Sequence, residues 1–352
     1  MFISGLGTAT PPHRYTQAQC WDALRAGRQF VRLDKTARTF LHRVLLGDNG
    51  IHTRHLALDS LDEVSDADPD TLHRRFARHA PELASRAATA ALQQGGYRPQ
   101  DIDAVIISTC TGYLCPGLTS YVAEELGLRP DVLALDLVGQ GCGAALPNLQ
   151  TAEALLGAKR CETILSVCVE VCSAAFYLDN DPGVLISACL FGDGAGAAVL
   201  SAAPNANTRR IEWQAASSLN NPAERDALRF EQRDGLLRNI LTPRVPALAA
   251  KHAEIVLKTV LSSEGIQRGD IGTWVLHAGG RKVLAALRET LGLSIADVCW
   301  SSEVLSEFGN VSSPFVYFVL QAALRNNAPA GRWWMSSFGA GFSCHGAMLR
   351  VA

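Results

Sequence analysis

A cysteine in the middle of the chain stands where a nucleophile could act. Cys142 follows an apolar segment, residues 132–138, that predicts a buried strand, and a glycine-rich turn at residues 139–141. An alanine-rich helix is predicted to begin beside it, over residues 143–156. Free N–H groups and the positive end of the helix dipole favour a thiolate at such a position. A small cysteine could equally pack beside the glycines, so position alone leaves both interpretations open.

The same turn fits a second pattern. Residues 139–144 match G-x-G-x-x-A between a predicted strand and a predicted helix, with Glu162 and Glu170 downstream. That arrangement outlines the dinucleotide-binding fingerprint and would indicate a nicotinamide-dependent oxidoreductase. The match lies deep in the chain instead of on the first strand of a βαβ repeat, which makes it the weaker alternative.

Two further side chains complete a possible acyl-transfer site. His277 ends the apolar segment 273–276, 135 residues after Cys142, and Asn310 follows 33 residues later. A thiolate needs a base or an ion-pair partner, and thioester chemistry needs donors for the developing oxyanion. The non-catalytic alternatives are a histidine whose ring is hydrogen-bonded within the fold and an asparagine that caps a helix. Papain-like proteases also combine Cys, His and Asn, but their cysteine lies near the mature N-terminus.

The ten cysteines do not favour a metal site or a disulfide framework. The close pairs Cys110/Cys115 and Cys168/Cys172 have four and three intervening residues, and no histidine lies near either pair. Zinc sites usually show other spacings, and disulfide frameworks are typical of short secreted chains. We therefore expect buried or reactive thiols and no bound metal.

Composition limits the classes of partner. The chain has 352 residues, 48% apolar and 19% charged, with a net charge of −2 and no large Lys/Arg cluster. We expect no nucleic-acid binding, no membrane span and no signal peptide, and hence a cytoplasmic protein. Small molecules and a second copy of the chain are the expected partners.

Strands and helices alternate along the chain, which predicts an α/β layered fold. Strands are predicted at residues 104–110, 132–138, 163–169, 195–200, 209–216, 273–276, 333–336 and 347–351. Helices are predicted within residues 34–94 and at 120–126, 143–156, 245–261, 282–291 and 311–324. The order suggests two duplicated halves joined at residues 202–208: residues 1–201 carry the cysteine, and residues 209–352 carry the histidine and asparagine.

Three glycine-rich blocks make a family resemblance specific. They are Leu-Phe-Gly-Asp-Gly-Ala at residues 190–195, Gly-Asn-Val-Ser-Ser at 309–313 and Phe-Gly-Ala-Gly at 338–341. In this order, and with the Cys–His–Asn spacing above, the sequence resembles the type III polyketide synthases, the chalcone synthase-like family of condensing enzymes. Ser337 and Ala340 depart from the family's last block.

The resemblance implies a thiolase-like, five-layered αβαβα fold built from two duplicated halves. It also implies an acyltransferase that needs no cofactor. Cys142 would carry an acyl group from acyl-CoA, and malonyl-CoA would extend it by repeated decarboxylative condensation before cyclisation. His277 and Asn310 would bind the thioester oxygen and stabilise the enolate.

Other site residues follow from the same resemblance. Phe191 would be a gatekeeper between the access tunnel and the cavity, and Glu170 a buried carboxylate that orders the site. Cys115, with Pro116, would cross a homodimer interface into the partner's cavity. The remaining expected substrate-binding or cavity residues are Cys110, Cys172, Ala175, Ser312 and Gly341.

The chain departs from the plant enzymes where those hold coenzyme A. Leu41, Val44 and Asp48 stand at the positions of basic residues, and the possible substitutes are Arg43, Arg54, Arg281 and Lys282. The second gatekeeper phenylalanine is replaced near Asn239. Whether acyl groups arrive on coenzyme A or on an acyl carrier protein is left open.

The product is the least defined part of the prediction. Cys110, Cys172 and Ala175 stand where plant enzymes carry threonines, and small apolar side chains favour a fatty acyl starter. Residues 176–184 also resemble bacterial alkylresorcinol and alkylpyrone synthases, so a resorcinol- or pyrone-type product is expected. The main rival is a ketoacyl-acyl carrier protein synthase III-like enzyme that performs one condensation. A non-catalytic binding protein, with an unreactive Cys142, is the alternative from a different class.

Overall fold

The chain forms eleven α-helices and thirteen β-strands. A computed structural model describes all of residues 1–352. The helices are α1 Gln17–Ala26, α2 Arg28–Arg32, α3 Lys35–Leu46, α4 Pro69–Gly95, α5 Leu118–Leu126, α6 Ala145–Gly157, α7 Pro182–Leu190, α8 Val245–Glu264, α9 Arg281–Thr290, α10 Cys299–Phe308 and α11 Phe315–Arg325. The strands are β1 Phe2–Ala9, β2 Arg14–Thr16, β3 Thr53–His55, β4 Ala104–Thr109, β5 Leu133–Val138, β6 Thr163–Glu170, β7 Gly194–Ser201, β8 Ile211–Asn220, β9 Leu228–Arg233, β10 Leu236–Leu241, β11 Ile271–Leu276, β12 Gly331–Gly339 and β13 Ser343–Val351.

Nine strands form one mixed sheet. Their order is β11-β12-β13-β8-β1-β7-β6-β4-β5, so the strands after residue 210 lie together at one end. The two groups of strands meet where Phe2 of β1 pairs with Glu212 of β8. Strands such as β4 and β7 are buried along their whole length, which explains their continuous apolar or small residues.

The helices make this sheet part of a five-layered structure. Helices α6 and α11 each pack against strands from both groups, α6 on β4, β6, β12 and β13, and α11 on β1, β7, β11 and β12. Helices α4 and α5 cover the first group on the outside, and α8 covers the second, with α9 packed on α8. Helix α11 is apolar almost all round, as expected for a helix that is buried between the two groups of strands. The predicted αβαβα architecture is confirmed.

A smaller layer lies over one side of this core. The inner face of α3, including Leu41 and Leu45, packs with Leu24 of α1 and with Leu185 and Cys189 of α7. Phe191, at the C-terminal end of α7, packs against the same cluster. This layer therefore connects the surface helices to the Phe191 segment, which lies beside the candidate site. No helix combines the length and apolarity needed to cross a bilayer.

The structure contains several elements that were not predicted, among them β1, α1, α7 and α10. The region predicted as helical, residues 34–94, is interrupted between α3 and α4 by β3 and a short 3-10 helix, Leu61–Ser65. The β9–β10 hairpin was not predicted. Its turn is Asp234-Gly235 with φ of 53° and 78°, and an Asp-Gly pair is the expected sequence of such a turn.

Candidate active site

Cys142 lies on a tight turn between β5 and α6. It belongs to a single 3-10 turn, Gly141–Gly143, and its side chain is buried. Gly141 has φ of +56°, a conformation that glycine adopts without strain. The Ser337 hydroxyl donates to the Gly143 carbonyl at 3.0 Å and fixes the turn on β12. The cysteine therefore sits on a rigid strand-to-helix connection, as predicted.

The electrostatic environment of this thiol differs from the prediction. Burial raises the pKa of Cys142 to about 12, although the Ser312 hydroxyl, which donates to its Sγ at 3.1 Å, opposes that rise. The expectation that the helix N-terminus alone favours a thiolate is wrong for the protein without substrate. Desolvation outweighs the dipole here because the sulfur lies inside the protein and not at its surface.

His277 follows directly on β11 and is buried between aromatic rings. Its backbone N–H donates to the Ser336 carbonyl at 2.9 Å, which extends the β11–β12 pairing. The imidazole contacts Phe315 edge-on and Phe338, with ring centroids 5.2 and 5.0 Å apart. No protein atom bonds either ring nitrogen. Burial lowers the pKa of His277 to about 3, so the imidazole is neutral at physiological pH.

Asn310 holds together the turns on which the other residues lie. Its Nδ2 donates to the Gly279 carbonyl at 3.0 Å, two residues after His277, and its Oδ1 accepts from the Ser312 N–H at 2.9 Å. Its own backbone pairs with the Phe191 segment through the Leu190 carbonyl and the Gly192 N–H. An amide nitrogen has two hydrogens, so one remains free to donate.

These contacts form a closed ring. Ser312 bonds the sulfur of Cys142, and Asn310 bonds both Ser312 and the turn after His277. Strand β12 closes the ring, because its Ser336 carbonyl accepts from the His277 N–H and its Ser337 bonds the Cys142 turn. All of these residues are buried. Residues far apart in sequence therefore belong to one network of contacts.

Glu170, at the end of β6, orders the wall beside this ring. Its fully buried carboxylate accepts from Thr111 Oγ1 at 2.8 Å, Ser313 Oγ at 2.5 Å and the Cys110 N–H at 3.0 Å. The Cys110 thiol donates to it at 3.3 Å. Burial raises the pKa of Glu170, while these donors favour the charged form. The sequence signal for this role was weak, because a single glutamate ending a buried strand has many explanations.

A narrow apolar cavity lies beside the ring. Of the residues expected to line it, Cys172, Ala175, Phe191 and Ser312 do so, together with Asn239. Sequence reasoning missed the remaining lining residues, which are Thr111, Phe176, Tyr177, Val184, Ser187, Phe230 and Leu237. Phe230 and Leu237 belong to the unpredicted hairpin. The cavity has about 10 Å³ accessible to a water-sized sphere, room for about one water molecule.

Three expected site residues lie outside this cavity. Cys110 is half-buried, between Glu170 and Ser312. Cys115 is exposed. Gly341 lies in the β12–β13 turn with φ of +121°, a conformation that L side chains rarely adopt.

The candidate coenzyme A contacts differ in whether their side chains are buried or exposed. Arg54 is buried and donates to the carbonyls of Ala188 and Phe191, so the hypothesis that it binds a phosphate is wrong. Arg281 pairs with Asp48 across the ends of α9 and α3, and Lys282 beside it is exposed. The Arg43 guanidinium lies over the Phe40 ring on the exposed face of α3.

Two family models together match almost the whole chain. Residues 11–221 match the model described as FAE1/type III polyketide synthase-like protein. Residues 219–351 match the model for the C-terminal domain of chalcone and stilbene synthases. The two matches meet near the end of β8.

Similar proteins come from bacteria and from more distant organisms. The chain is 32% identical to a 3,5-dihydroxyphenylacetyl-CoA synthase of Streptomyces toyocaensis over 92% of this chain and 82% of that protein. It is 30% identical to a 1,3,6,8-tetrahydroxynaphthalene synthase of Streptomyces peucetius subsp. caesius, over 99% and 92%. In structure it is similar to PKS-I of the brown alga Ectocarpus siliculosus, with a TM-score of 0.90 at 24% identity over 99% and 98% of the two chains.

Proposed function

This chain belongs to the type III polyketide synthase family, and on that premise we propose that Cys142 carries the acyl chain while His277 and Asn310 activate malonyl-CoA. As a member of this family the protein is an acyltransferase. The observation that carries the proposal is the ring of contacts that joins Cys142, Ser312, Asn310 and the turn after His277 and closes through β12. It supplies a buried nucleophile with two nearby polar groups.

Loading begins with the thiol of Cys142. Its sulfur attacks the carbonyl of the starter acyl-CoA, a new C–S bond forms and the bond to the coenzyme A sulfur breaks. The neutral imidazole of His277 accepts the thiol proton and returns it to the leaving coenzyme A thiolate. A neutral imidazole suits this step because one of its nitrogens is an acceptor.

Condensation uses the same two polar groups as donors. The ring N–H of His277 and the free amide hydrogen of Asn310 would donate to the thioester oxygen of malonyl-CoA. Carbon dioxide leaves, the enolate oxygen is held by both donors, and the enolate carbon attacks the acyl group on Cys142. The C–S bond to Cys142 then breaks and the sulfur leaves as a thiolate, while the extended chain stays on coenzyme A. The thiolate attacks that new thioester directly, or takes up a proton first, and so reloads the chain for another round.

The cavity bears on the size of the starter. A space that holds about one water molecule cannot take a fatty acyl chain unless lining side chains such as Phe191 and Phe230 move. The same holds for a short acyl group, so the extent to which these side chains move sets the length of the starter. Coenzyme A delivery is the simpler hypothesis, with exposed Lys282 as a candidate phosphate contact.

A product assay tests the function. The protein is incubated with malonyl-CoA and acyl-CoAs of two to sixteen carbons, and products are identified by mass spectrometry. Cyclised tri- or tetraketides are expected, and the yield with each acyl-CoA gives the starter length that the cavity accepts. A single-extension 3-ketoacyl product would instead identify a ketoacyl synthase III-like reaction. The Cys142→Ala variant, which lacks the thiol, is the control.

We further propose that the enzyme is a homodimer built on β5. This strand is at the edge of the nine-stranded sheet, and its apolar residues Leu133 and Val138 are 40% and 59% exposed. Tyr113, near the exposed Cys115, is 70% exposed. An uncovered apolar edge strand is unusual in a monomer, and a second copy would cover it.

A further inference from the structure

Ser312 has a backbone conformation that calls for an explanation. Its φ is +59°, in the left-handed region where residues with a side chain are uncommon, although it is a buried serine and not a glycine. The conformation is held by the bond from its N–H to Asn310 Oδ1 at 2.9 Å. Strained residues of this kind occur where the surrounding structure imposes a geometry for function.

The strained backbone points the Ser312 hydroxyl at two sulfur atoms. Its oxygen is 3.1 Å from Cys142 Sγ and 3.7 Å from Cys110 Sγ. A hydroxyl has one hydrogen, so it donates to one sulfur at a time. The nearer sulfur is that of Cys142. Cys110 in turn directs its own thiol hydrogen to Glu170 Oε1 at 3.3 Å.

Ser312 is also the only side chain that donates to the Cys142 sulfur in this structure. The imidazole of His277 bonds no protein atom. A hydrogen bond to a charged acceptor is stronger than one to its neutral form, so a donor aimed at sulfur stabilises the thiolate more than the thiol.

We propose that Ser312 activates the nucleophile: its hydroxyl donates to Cys142 Sγ, stabilises the thiolate and holds the sulfur in the orientation needed for attack. This role goes beyond lining the cavity, and it rests on the proposed function of Cys142. Asn310 fixes Ser312 through its Oδ1, so the same residue orients the nucleophile's donor and the turn that follows His277.

The test is the rate at which iodoacetamide alkylates Cys142, followed between pH 6 and 10 by mass spectrometry of the Cys142 peptide. Two variants remove the hydroxyl: Ser312→Ala keeps the strained conformation, and Ser312→Gly relieves it. Both are expected to lower the alkylation rate at least tenfold at every pH below the thiol's midpoint, since a charge-assisted hydrogen bond corresponds to about one pKa unit or more.

The control is Ser337→Ala. Ser337 is also buried and bonds the Cys142 turn, but through the Gly143 carbonyl and not through the sulfur. Its removal is expected to leave the pH dependence of alkylation in place. Thermal unfolding of each variant shows that it is folded.

Unchanged alkylation in both Ser312 variants would overturn the proposal. A loss in Ser312→Ala that Ser312→Gly restores would also overturn it, because it would assign the effect to the backbone. The proposed function fails separately: if acyl-CoA never labels Cys142 in the natural protein, that function is wrong, while the alkylation result still measures the bond from Ser312.

Discussion

Burial favours the neutral forms of both Cys142, the proposed nucleophile, and His277. Burial raises the pKa of Cys142 to about 12 and lowers that of His277 to about 3, so an ion pair between them is disfavoured in the dry site. A neutral imidazole can still accept the thiol proton during attack and donate to an enolate afterwards. We therefore expect the thiol to lose its proton as the new bond forms, and the hydrogen bond from Ser312 to stabilise the thiolate as it develops.

Replacing Asn310 by Asp tests the donor role. The side chain keeps its shape, but the amide hydrogens are lost and a negative charge faces the enolate. We expect malonyl-CoA decarboxylation to fall by about 10²- to 10³-fold, the usual effect of losing one oxyanion donor. Carbon dioxide release is the measurement, and acylation of Cys142 by mass spectrometry is the parallel readout. Decarboxylation at the natural rate in Asn310→Asp would refute the role of this residue.

At the scale of elements, the β9–β10 hairpin and α7 set the width of the cavity beside Cys142. Phe230 and Leu237 come from the hairpin, Val184 and Ser187 from α7, and their side chains meet in the narrow cavity. The hairpin is also tied to α7 where Asn239 Nδ2 donates to the Ser187 hydroxyl at 2.8 Å. We therefore expect the position of this hairpin to limit the length of the starter.

Enlarging the cavity should change starter preference. In Phe230→Ala the loss of the ring opens space, so we expect the preferred acyl-CoA to become longer, with kcat/KM for long starters rising about tenfold. Phe40→Ala is the matched control, because Phe40 is a half-buried phenylalanine on α3 that does not line the cavity. The same dependence on chain length in both variants would show that Phe230 does not limit the starter.

The exposed edge strand leads to a prediction about assembly. A charge at the start of β5, Leu133→Asp, would be buried without a partner in the proposed dimer, so we expect a monomer. Ile295→Asp is the control, since Ile295 is an apolar residue that is 74% exposed and lies between α9 and α10. Sedimentation velocity gives the masses. A dimer that survives Leu133→Asp would exclude β5 as the interface.

For the whole molecule, buried neutral histidines make stability depend on pH. The pKa of His345 in β13 is lowered to about 4 by burial, and that of His277 to about 3, from an ordinary value of 6.5. Between these values and 6.5 the unfolded chain binds protons that the folded protein does not. Folding stability contributed by these groups is therefore present above about pH 6.5 and is lost as the pH falls.

His345→Gln isolates one of these contributions. Each buried histidine adds up to about 1.4 kcal/mol per pH unit to the loss of stability below pH 6.5. The variant should therefore lose less stability than the natural protein between pH 6.5 and 5, measured as the free energy of unfolding in urea. His345 lies outside the candidate active site, so activity can be followed separately. Equal losses in both proteins would show that His345 titrates normally.

The two groups of strands share their central helices. Because α6 and α11 pack on both groups, neither group of strands could bury its inner face alone. We propose that residues 1–201 and 209–352 are the duplicated halves suggested by the sequence, joined into one folding unit. The duplication itself remains a prediction.

The sequence predicted those parts of the molecule that depend on local pattern. Strands β4 and β6 are buried apolar runs, and the spacing of Cys142, His277 and Asn310 indicated the family. The β9–β10 hairpin was not predicted because its Asp-Gly turn is the only local signal for it. The bond from Ser312 to Cys142 depends on one unusual φ angle of Ser312. The pKa values of Cys142 and His277 depend on burial in the folded protein. Neither feature can be predicted from residues that are neighbours in sequence.

The placement of His277 between Phe315 and Phe338 lowers the stability of the fold in exchange for a polar group at the candidate site. An imidazole whose two nitrogens bond no protein atom makes a poorer core than an apolar side chain of similar size. His277→Leu is therefore expected to raise the melting temperature while it abolishes condensation. Where catalysis is not under selection, selection for stability would favour apolar residues at this position. A leucine or phenylalanine in place of this histidine, in a sister sequence that keeps the fold, would mark a lineage that has stopped making polyketides.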